Sequence, residues 1–193
     1  MGVAFVRISG FAILLMSLSL NLHGKELANI SVDDEITLKN GDTLLLNGMG
    51  LREKMWIDVY VGSLYLPKKA DNVAEVLAQP GALRIQINVV YTEVASKKLI
   101  RAWKDGFEKN QSDEMLMRLK DRIEMFYSYF EESAKKDDEY LIDYIPVQGT
   151  SISKNGKLLG TIEGEDFKNA LLEIWLGNVP VDKNLKKGML GLK

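Results

Sequence analysis

The 193-residue chain contains no cysteine and a single histidine, His23. Without thiols, disulfides, thiolate metal sites and cysteine nucleophiles are all excluded. His23 falls beside an apolar amino-terminal stretch, so the rest of the chain lacks the commonest general base and the commonest zinc ligands. Any chemistry must run on Arg, Lys, Tyr, Ser, Thr or carboxylates. An excess of one charge is also missing: 25 Lys and Arg stand against 27 Asp and Glu, a net charge of -2. With no long run of either sign, nucleic acid is not expected as a partner. Internal repeats and low-complexity tracts are absent too. What remains is an ordinary globular composition, 46% hydrophobic and 27% charged, long enough for one domain with a sizeable core.

The amino terminus reads as a secretory leader. Arg7 supplies the positive charge, and residues 8–22 are apolar but short for a membrane span and diluted by Ser17, Ser19 and Asn21. A signal peptide over residues 1–24 and a domain over residues 25–193 are expected. Cleavage is placed after Gly24, with Ala28 as second choice and an uncleaved anchor as the alternative. The absence of cysteine excludes a lipoprotein. The expected location is outside the cytoplasm, periplasmic in a Gram-negative bacterium.

Residues 36–39 and 43–46 flank Asn40-Gly41 and predict a hairpin with a type I′ turn. Asn47-Gly48-Met49-Gly50 reads as a second turn. A long strand is expected over residues 54–66, with Trp56, Asp58, Tyr60 and Gly62 alternating against Ile57, Val59 and Val61. A short helix over residues 72–79 stops at Pro80-Gly81. Residues 83–90 alternate cleanly as a half-buried strand. Two helices follow, residues 94–108 burying Ala95, Leu99, Ala102, Trp103 and Phe107, then one announced by Ser112 as N-cap. The second carries Leu116, Leu119, Ile123, Phe126, Tyr127 and Phe130 on one stripe. After a charged loop at 135–139 come a strand over 140–147, a hairpin over 150–162 turning at Asn155-Gly156, and a helix over 167–176. Gly177 is expected to end that helix as a left-handed C′ residue. A short helix over 182–190 closes the chain. Strands arriving as hairpins with helices interposed in groups predict an α+β fold, an antiparallel sheet with helices on one face.

Two segments carry a further likeness. Leu46-Asn47-Gly48-Met49-Gly50-Leu51-Arg52, followed by Val59-Tyr60-Val61-Gly62-Ser63-Leu64-Tyr65-Leu66, resembles the opening motif of the chalcone-isomerase superfamily. Its members carry a Gly-x-Gly-x-Arg turn and a strand ending in an aliphatic-Tyr-Leu run. The order of the remaining elements is similar, and the leader resembles the bacterial exported branch. The resemblance implies a chalcone-isomerase-like open-faced sandwich, an antiparallel sheet covered by a layer of helices with the ligand cleft between them. Plant isomerases of this family close a flavanone ring by adding a phenolate to an enone. Their Arg steadies the phenolate, Thr and Tyr polarise the ketone with ordered water, and Asn and a second Thr bind the ligand. Of these positions the Arg matches Arg52. The strand Thr falls on Tyr60, a change that the fatty-acid-binding relatives resemble. The Tyr and Asn fall near Ala95 and Ala102, with Thr92 and Asn110 as the nearby alternatives, and the second Thr falls near Ile174.

The leading expectation is therefore a non-catalytic binder of a fatty acid or similar amphiphilic carboxylate, with Arg52 and Tyr60 as ligand-binding residues. No catalytic residue, cofactor or metal is assigned. An isomerase built on Arg52 and Tyr60, or an envelope interaction protein, is the alternative. A surface ion pair from Arg52 to Glu53 or Asp58 is the structural alternative for that residue. Lys97, Arg101 and Lys104 read as a solvated helix face, with attraction to an anionic membrane or ligand as the other possibility. Phe126, Tyr127 and Phe130 read as core. Glu163, Glu165 and Asp166 read as charges about the first turn of the following helix.

Overall fold

The computed structural model describes residues 24–192; the expected leader lies outside these, apart from Gly24. In chain order the elements are β1 (Gly24–Leu27), β2 (Ile30–Asp33), β3 (Glu35–Thr37), β4 (Thr43–Lys54), β5 (Ile57–Leu66), α1 (Val73–Ala78), β6 (Leu83–Val89) and β7 (Glu93–Val94). They continue with α2 (Ser96–Asn110), α3 (Asp113–Ser128), β8 (Ala134–Lys135), β9 (Glu139–Ile145), β10 (Gly149–Lys154), β11 (Lys157–Ile162), α4 (Glu165–Leu176) and α5 (Lys183–Met189). Seven strands form one antiparallel sheet in the order β11-β10-β9-β6-β5-β4-β3. The fold is α+β, as the element order implies.

The larger core lies between the sheet and the helices, where Leu64, Ile85 and Ile142 meet Phe107, Phe126, Phe167 and Trp175. A second cluster on the opposite face joins Leu44, Leu46, Met49, Val61 and Tyr65 under the β1–β2 hairpin. Strand β6 is buried at every second residue, the pattern of a strand with one face on a core. Ser112 caps α3, its hydroxyl accepting from Met115 N at 3.2 Å. Asp182 caps α5 by accepting from the N–H groups of Asn184 and Leu185.

Several expectations are corrected. The Asn47–Gly50 segment is not a turn but the middle of β4. Its register steps from Leu46↔Tyr65 to Gly48↔Leu64, leaving Asn47 as a bulge. The glycines serve close approach instead: a Cβ on Gly50 would stand 2.7 Å from Leu185 O, so α5 packs backbone against backbone. The strand expected over residues 54–66 is interrupted, because Met55 and Trp56 form the turn between β4 and β5. Both have positive φ, 51° and 63°, the type I′ geometry that favours Asn and Gly. Two bulky residues there cost roughly 1–2 kcal/mol each, and alternation alone gave no cue to them.

The Asn40-Gly41 connection is longer than a two-residue turn, since pairing ends at Thr37↔Thr43 and only Gly41 is left-handed. Helix α2 begins at Ser96, not 94, because Glu93 and Val94 pair with Lys135 and Ala134 at the start of the expected charged loop. Ala95 is consequently exposed. Strand β9 stops at Ile145, where Pro146 has no N–H to offer a ladder. Gly177 has φ −68° and needs no left-handed freedom. A side chain there would collide with Asn110 Oδ1 and lie 2.5 Å from Glu173 O.

Candidate functional site

The bulge at Asn47 decides which way Arg52 faces. Side chains alternate along a strand, so in an unbroken β4 Leu44, Leu46, Gly48, Gly50 and Arg52 would share one face. The extra residue flips that parity. Leu44 and Leu46 stay on the outer cluster with Met49, while Gly48, Gly50 and Arg52 turn towards the helices. Asn47 is buried and fully engaged: its Nδ2 donates to Ala70 O at 2.9 Å and Met189 O at 2.8 Å, and its Oδ1 accepts from Ala70 N at 2.7 Å. These bonds tie the bulge to the end of α5 and to the segment before α1.

Arg52 is paired in register with Tyr60 on β5, so both side chains stand on the helix-facing side. The Arg52 guanidinium carbon lies 5.5 Å from the centre of the Tyr60 ring, within reach of a cation–π attraction. Tyr60 Oη accepts from Trp175 Nε1 at 2.9 Å, which leaves its own proton free to donate. Trp103 meets Trp175 edge to face with centroids 5.4 Å apart. Leu99, Ala102, Ile174 and Val181 complete the wall of a small cleft. The space it encloses is about 10 Å³, room for roughly one water.

Two buried donors at this spot have no acceptor: Arg52 Nε and Trp103 Nε1. Trp103 is 5% exposed. Arg52 makes no ion pair to Glu53 or Asp58 among the described residues. Burial pushes the Tyr60 phenol up from its ordinary range, and Asp182 adds to this; Arg52 and the Trp175 hydrogen bond pull the other way without prevailing. The phenol is therefore neutral at ordinary pH, a hydrogen-bond donor rather than a base. The residues lining the cleft offer an oxyanion up to three donors, from Arg52, Tyr60 and Trp103.

Of the positions assigned by resemblance, Arg52, Tyr60, Ala102 and Ile174 come together in this cleft. Ala95 does not; it is the exposed N-cap of α2. Thr92 lies in the β6–β7 connection, and Asn110 is occupied at the far end of α2 with Gly106 O and Val179. Sequence reasoning placed Trp103 in the core and missed its indole N–H. The signal was that a buried tryptophan on an apolar stripe needs an acceptor, and no polar residue shares its stripe. Lys104 pairs with Glu108 at 3.7 Å, which leaves Lys97 and Arg101 of the basic stripe unpaired among the described residues. Phe126 and Phe130 are core, with rings 4.9 Å apart. Asp166 is held by Arg122 at 2.7 and 2.8 Å. A wider depression of about 440 Å³ lies between Glu93, Glu132, Lys135 and Lys154. It is bridged internally, since Lys154 reaches Asp138 at 3.0 Å and Ser133 O at 3.2 Å, so the smaller cleft is the better candidate.

A fatty-acid binding protein of Arabidopsis thaliana, known from a crystal structure, superposes on this chain with a TM-score of 0.63. The two are 18% identical over 84% of this chain and 92% of the plant protein, a likeness that establishes the fold. No curated protein matches. The sequence profile described as chalcone isomerase-like matches residues 24–191, and the chain belongs to the chalcone isomerase-like family.

Proposed function

We propose that this protein is a non-catalytic binder of a fatty acid or similar amphiphilic carboxylate, with Arg52 and Tyr60 at the head-group end of its site. One observation carries the reading: Arg52 and Trp103, whose Nε and Nε1 lack partners, line the same gap as Tyr60. An unpaired buried donor costs about 1–3 kcal/mol, so two at one spot favour an acceptor, and the Arg52 charge favours an anionic one. A carboxylate has about four lone-pair sites, enough for all three donors, and Leu99, Ile174 and Val181 offer apolar surface beyond it. The fatty-acid binding named for the Arabidopsis protein is in keeping with this.

An acyl chain needs more than the present gap, so α2 must lift from the sheet. Of its buried residues Trp103 stands at the midpoint and Gly106 and Phe107 lie beyond it, and Ala95 gives its amino end no side-chain cap, although Ser96 Oγ donates to Phe130 O at 2.7 Å. The amino-terminal turns, which bring Leu99 to the cleft, contain no fully buried residue. Cyclisation is disfavoured because Tyr60 stays protonated and because Ala102 and Ile174 replace polar groups. Export belongs to the same proposal and rests on the leader. Strand β1 begins at Gly24 and pairs with β2, so cleavage near Gly24 preserves a hairpin that cleavage after Ala28 would lose.

Calorimetric titration of delipidated protein with medium-chain fatty acids tests the site. Losing a charge-assisted bond of about 1.5–3 kcal/mol, Arg52→Ala binds roughly 10–100-fold more weakly. Arg52→Lys recovers part of this, since a point charge cannot reproduce the planar fork. Tyr60→Phe and Trp103→Phe each lose a neutral donor, about 0.5–1.5 kcal/mol. Parent-like affinity in Arg52→Ala, with unchanged melting, makes Arg52 structural and ends the reading.

A further inference from the structure

The β4–β5 hairpin tip carries the only consecutive run of large apolar side chains left in solvent among the described residues. Met55 is 78% exposed, Trp56 96% and Ile57 44%, and none packs against either core cluster. Tyr91, 39% exposed, lies at the same end, its N–H donating to Val59 O at 3.1 Å. The sheet contains a direct control. The β10–β11 hairpin also turns through two left-handed residues, and there they are Asn155 and Gly156, the favoured pair. Met55 and Trp56 adopt the same strained conformation with no packing to compensate, the kind of outlier from which a function is inferred.

The free charge around the tip is mixed, with a basic excess. Lys54 is exposed on the hairpin arm, and Lys97, Lys98 and Arg101 are exposed on the half of α2 that covers the cleft. None of the four has an ion-pair partner among the described residues. Against these four bases stand three exposed carboxylates that also lack ion-pair partners among the described residues, Glu53, Asp58 and Glu93, while Asp182 already accepts from the N–H groups of Glu53, Asn184 and Leu185.

We propose that the hairpin tip docks on a lipid bilayer bearing anionic headgroups, with Trp56 seated at the interface and Met55 and Ile57 beside it. Tryptophan favours that boundary, where its ring is in apolar surroundings and its N–H is wet. Unpaired basic side chains close to the surface add attraction to anionic lipid. A second copy of the chain fits less well. A few side chains at a protruding tip bury far less than the roughly 1,000 Å² that a stable protein interface requires, whereas a bilayer asks for no shape complementarity. Docking would set Arg52, three residues from Met55, next to the phase where amphiphilic carboxylates reside. The proposal does not depend on the ligand reading: docking is measured without added fatty acid, and ligand binding without vesicles.

The test uses the exported protein and vesicles of phosphatidylethanolamine with phosphatidylglycerol, followed by co-sedimentation and tryptophan emission. Trp103 and Trp175 are 5% and 0% exposed, so the wet emission is that of Trp56, and the part of a lipid-induced change that Trp56→Ala abolishes reports on the tip. The expected result is a blue shift with anionic vesicles that fades at high salt and is quenched by brominated lipid. Trp56→Ala should bind vesicles at least about tenfold more weakly, having lost a large apolar contact. The double variant Met55→Asn, Trp56→Gly, which installs the favoured turn, should melt no lower than the parent and fail to sediment. Any retained leader is common to parent and variants. Absence of parent sedimentation, or variants that bind as the parent does, overturns the proposal. So does a blue shift that follows protein concentration without lipid and coincides with a dimer, which would make the tip a contact between copies.

Discussion

Gly48→Ala adds one methyl group where the fold has no room for it. The new Cβ would overlap Gly188 O and stand 2.7 Å from Gly191 N and 2.9 Å from Met189 O. All three are backbone atoms, so no side-chain rotation makes space, and α5 must shift as a body. Overpacking costs about 1–3 kcal/mol when neighbours can adjust. Complete undocking sets the ceiling: Leu185, Met189 and Leu190 are 0%, 0% and 5% exposed, and each contributes about 1.5–3 kcal/mol by burial. Asn47 would also lose Met189 O, its acceptor at 2.8 Å. A rigid obstacle belongs at the top of the overpacking range, so a loss of about 3 kcal/mol is expected. For a domain of this size that lowers the melting temperature by about 6–12 °C. Gly41→Ala is the control. Gly41 has φ 91° and nothing within 4 Å of a Cβ, so it meets only the left-handed penalty of about 1–2 kcal/mol. Thermal and urea denaturation of both variants decide the matter. If Gly48→Ala melts with the parent, or no lower than Gly41→Ala, the glycines of β4 do not exist to admit α5.

Lys168→Met should raise stability at neutral pH by about 1 kcal/mol. Burial pulls the Lys168 ammonium below its ordinary 10.5, so between that lowered value and 10.5 the unfolded chain binds more protons. Parent stability then rises with pH, and urea melts should show the advantage of the variant shrinking as pH approaches 10.5. No acceleration of hydroxychalcone cyclisation is expected, since loss of each positioned polar group typically costs about 10²–10³ in rate. Absorbance turnover above the spontaneous rate, abolished by Arg52→Ala, would reverse that conclusion.

How much of this was legible depended on whether a residue acts through its own side chain or through a distant neighbour. Alternation gave β6, and Ser112 and Asn155-Gly156 gave a cap and a turn, because each acts locally. Gly48 and Gly50 were legible as glycines but not as strand residues, since their reason is α5, some 140 residues later in sequence. The same holds for Asn47, read as a turn former and found as the three-bonded anchor of a bulge. Arg52 could be selected by resemblance, yet its direction into the helix layer follows from that bulge. Trp103 was legible as apolar, and its unpaired N–H only in three dimensions.

The irregularities of β4 and its turn differ in what supports them, and the difference bears on function. The Asn47 bulge breaks the strand ladder, but three hydrogen bonds and the docked backbone of α5 hold it. That departure is stabilised, and its effect is to aim Arg52. Ser63, on the paired strand, and Thr150 also have hydroxyls without acceptors, but each is an isolated neutral group in packed surroundings. The unmet donors at Arg52 and Trp103 differ in belonging to side chains that line one gap, beside a phenol that burial keeps protonated. The Met55-Trp56 turn has no internal support at all. Natural sequences are locally consistent except where function opposes stability. By that standard the supported bulge is architecture, while the unsupported features, a cleft lined by two unpaired donors and an apolar tip, lie close together, Arg52 standing three residues from Met55. A site that drew its ligand from bulk water would give no reason for the second to accompany the first. The proposed binding site, fed from the proposed membrane contact, accounts for both.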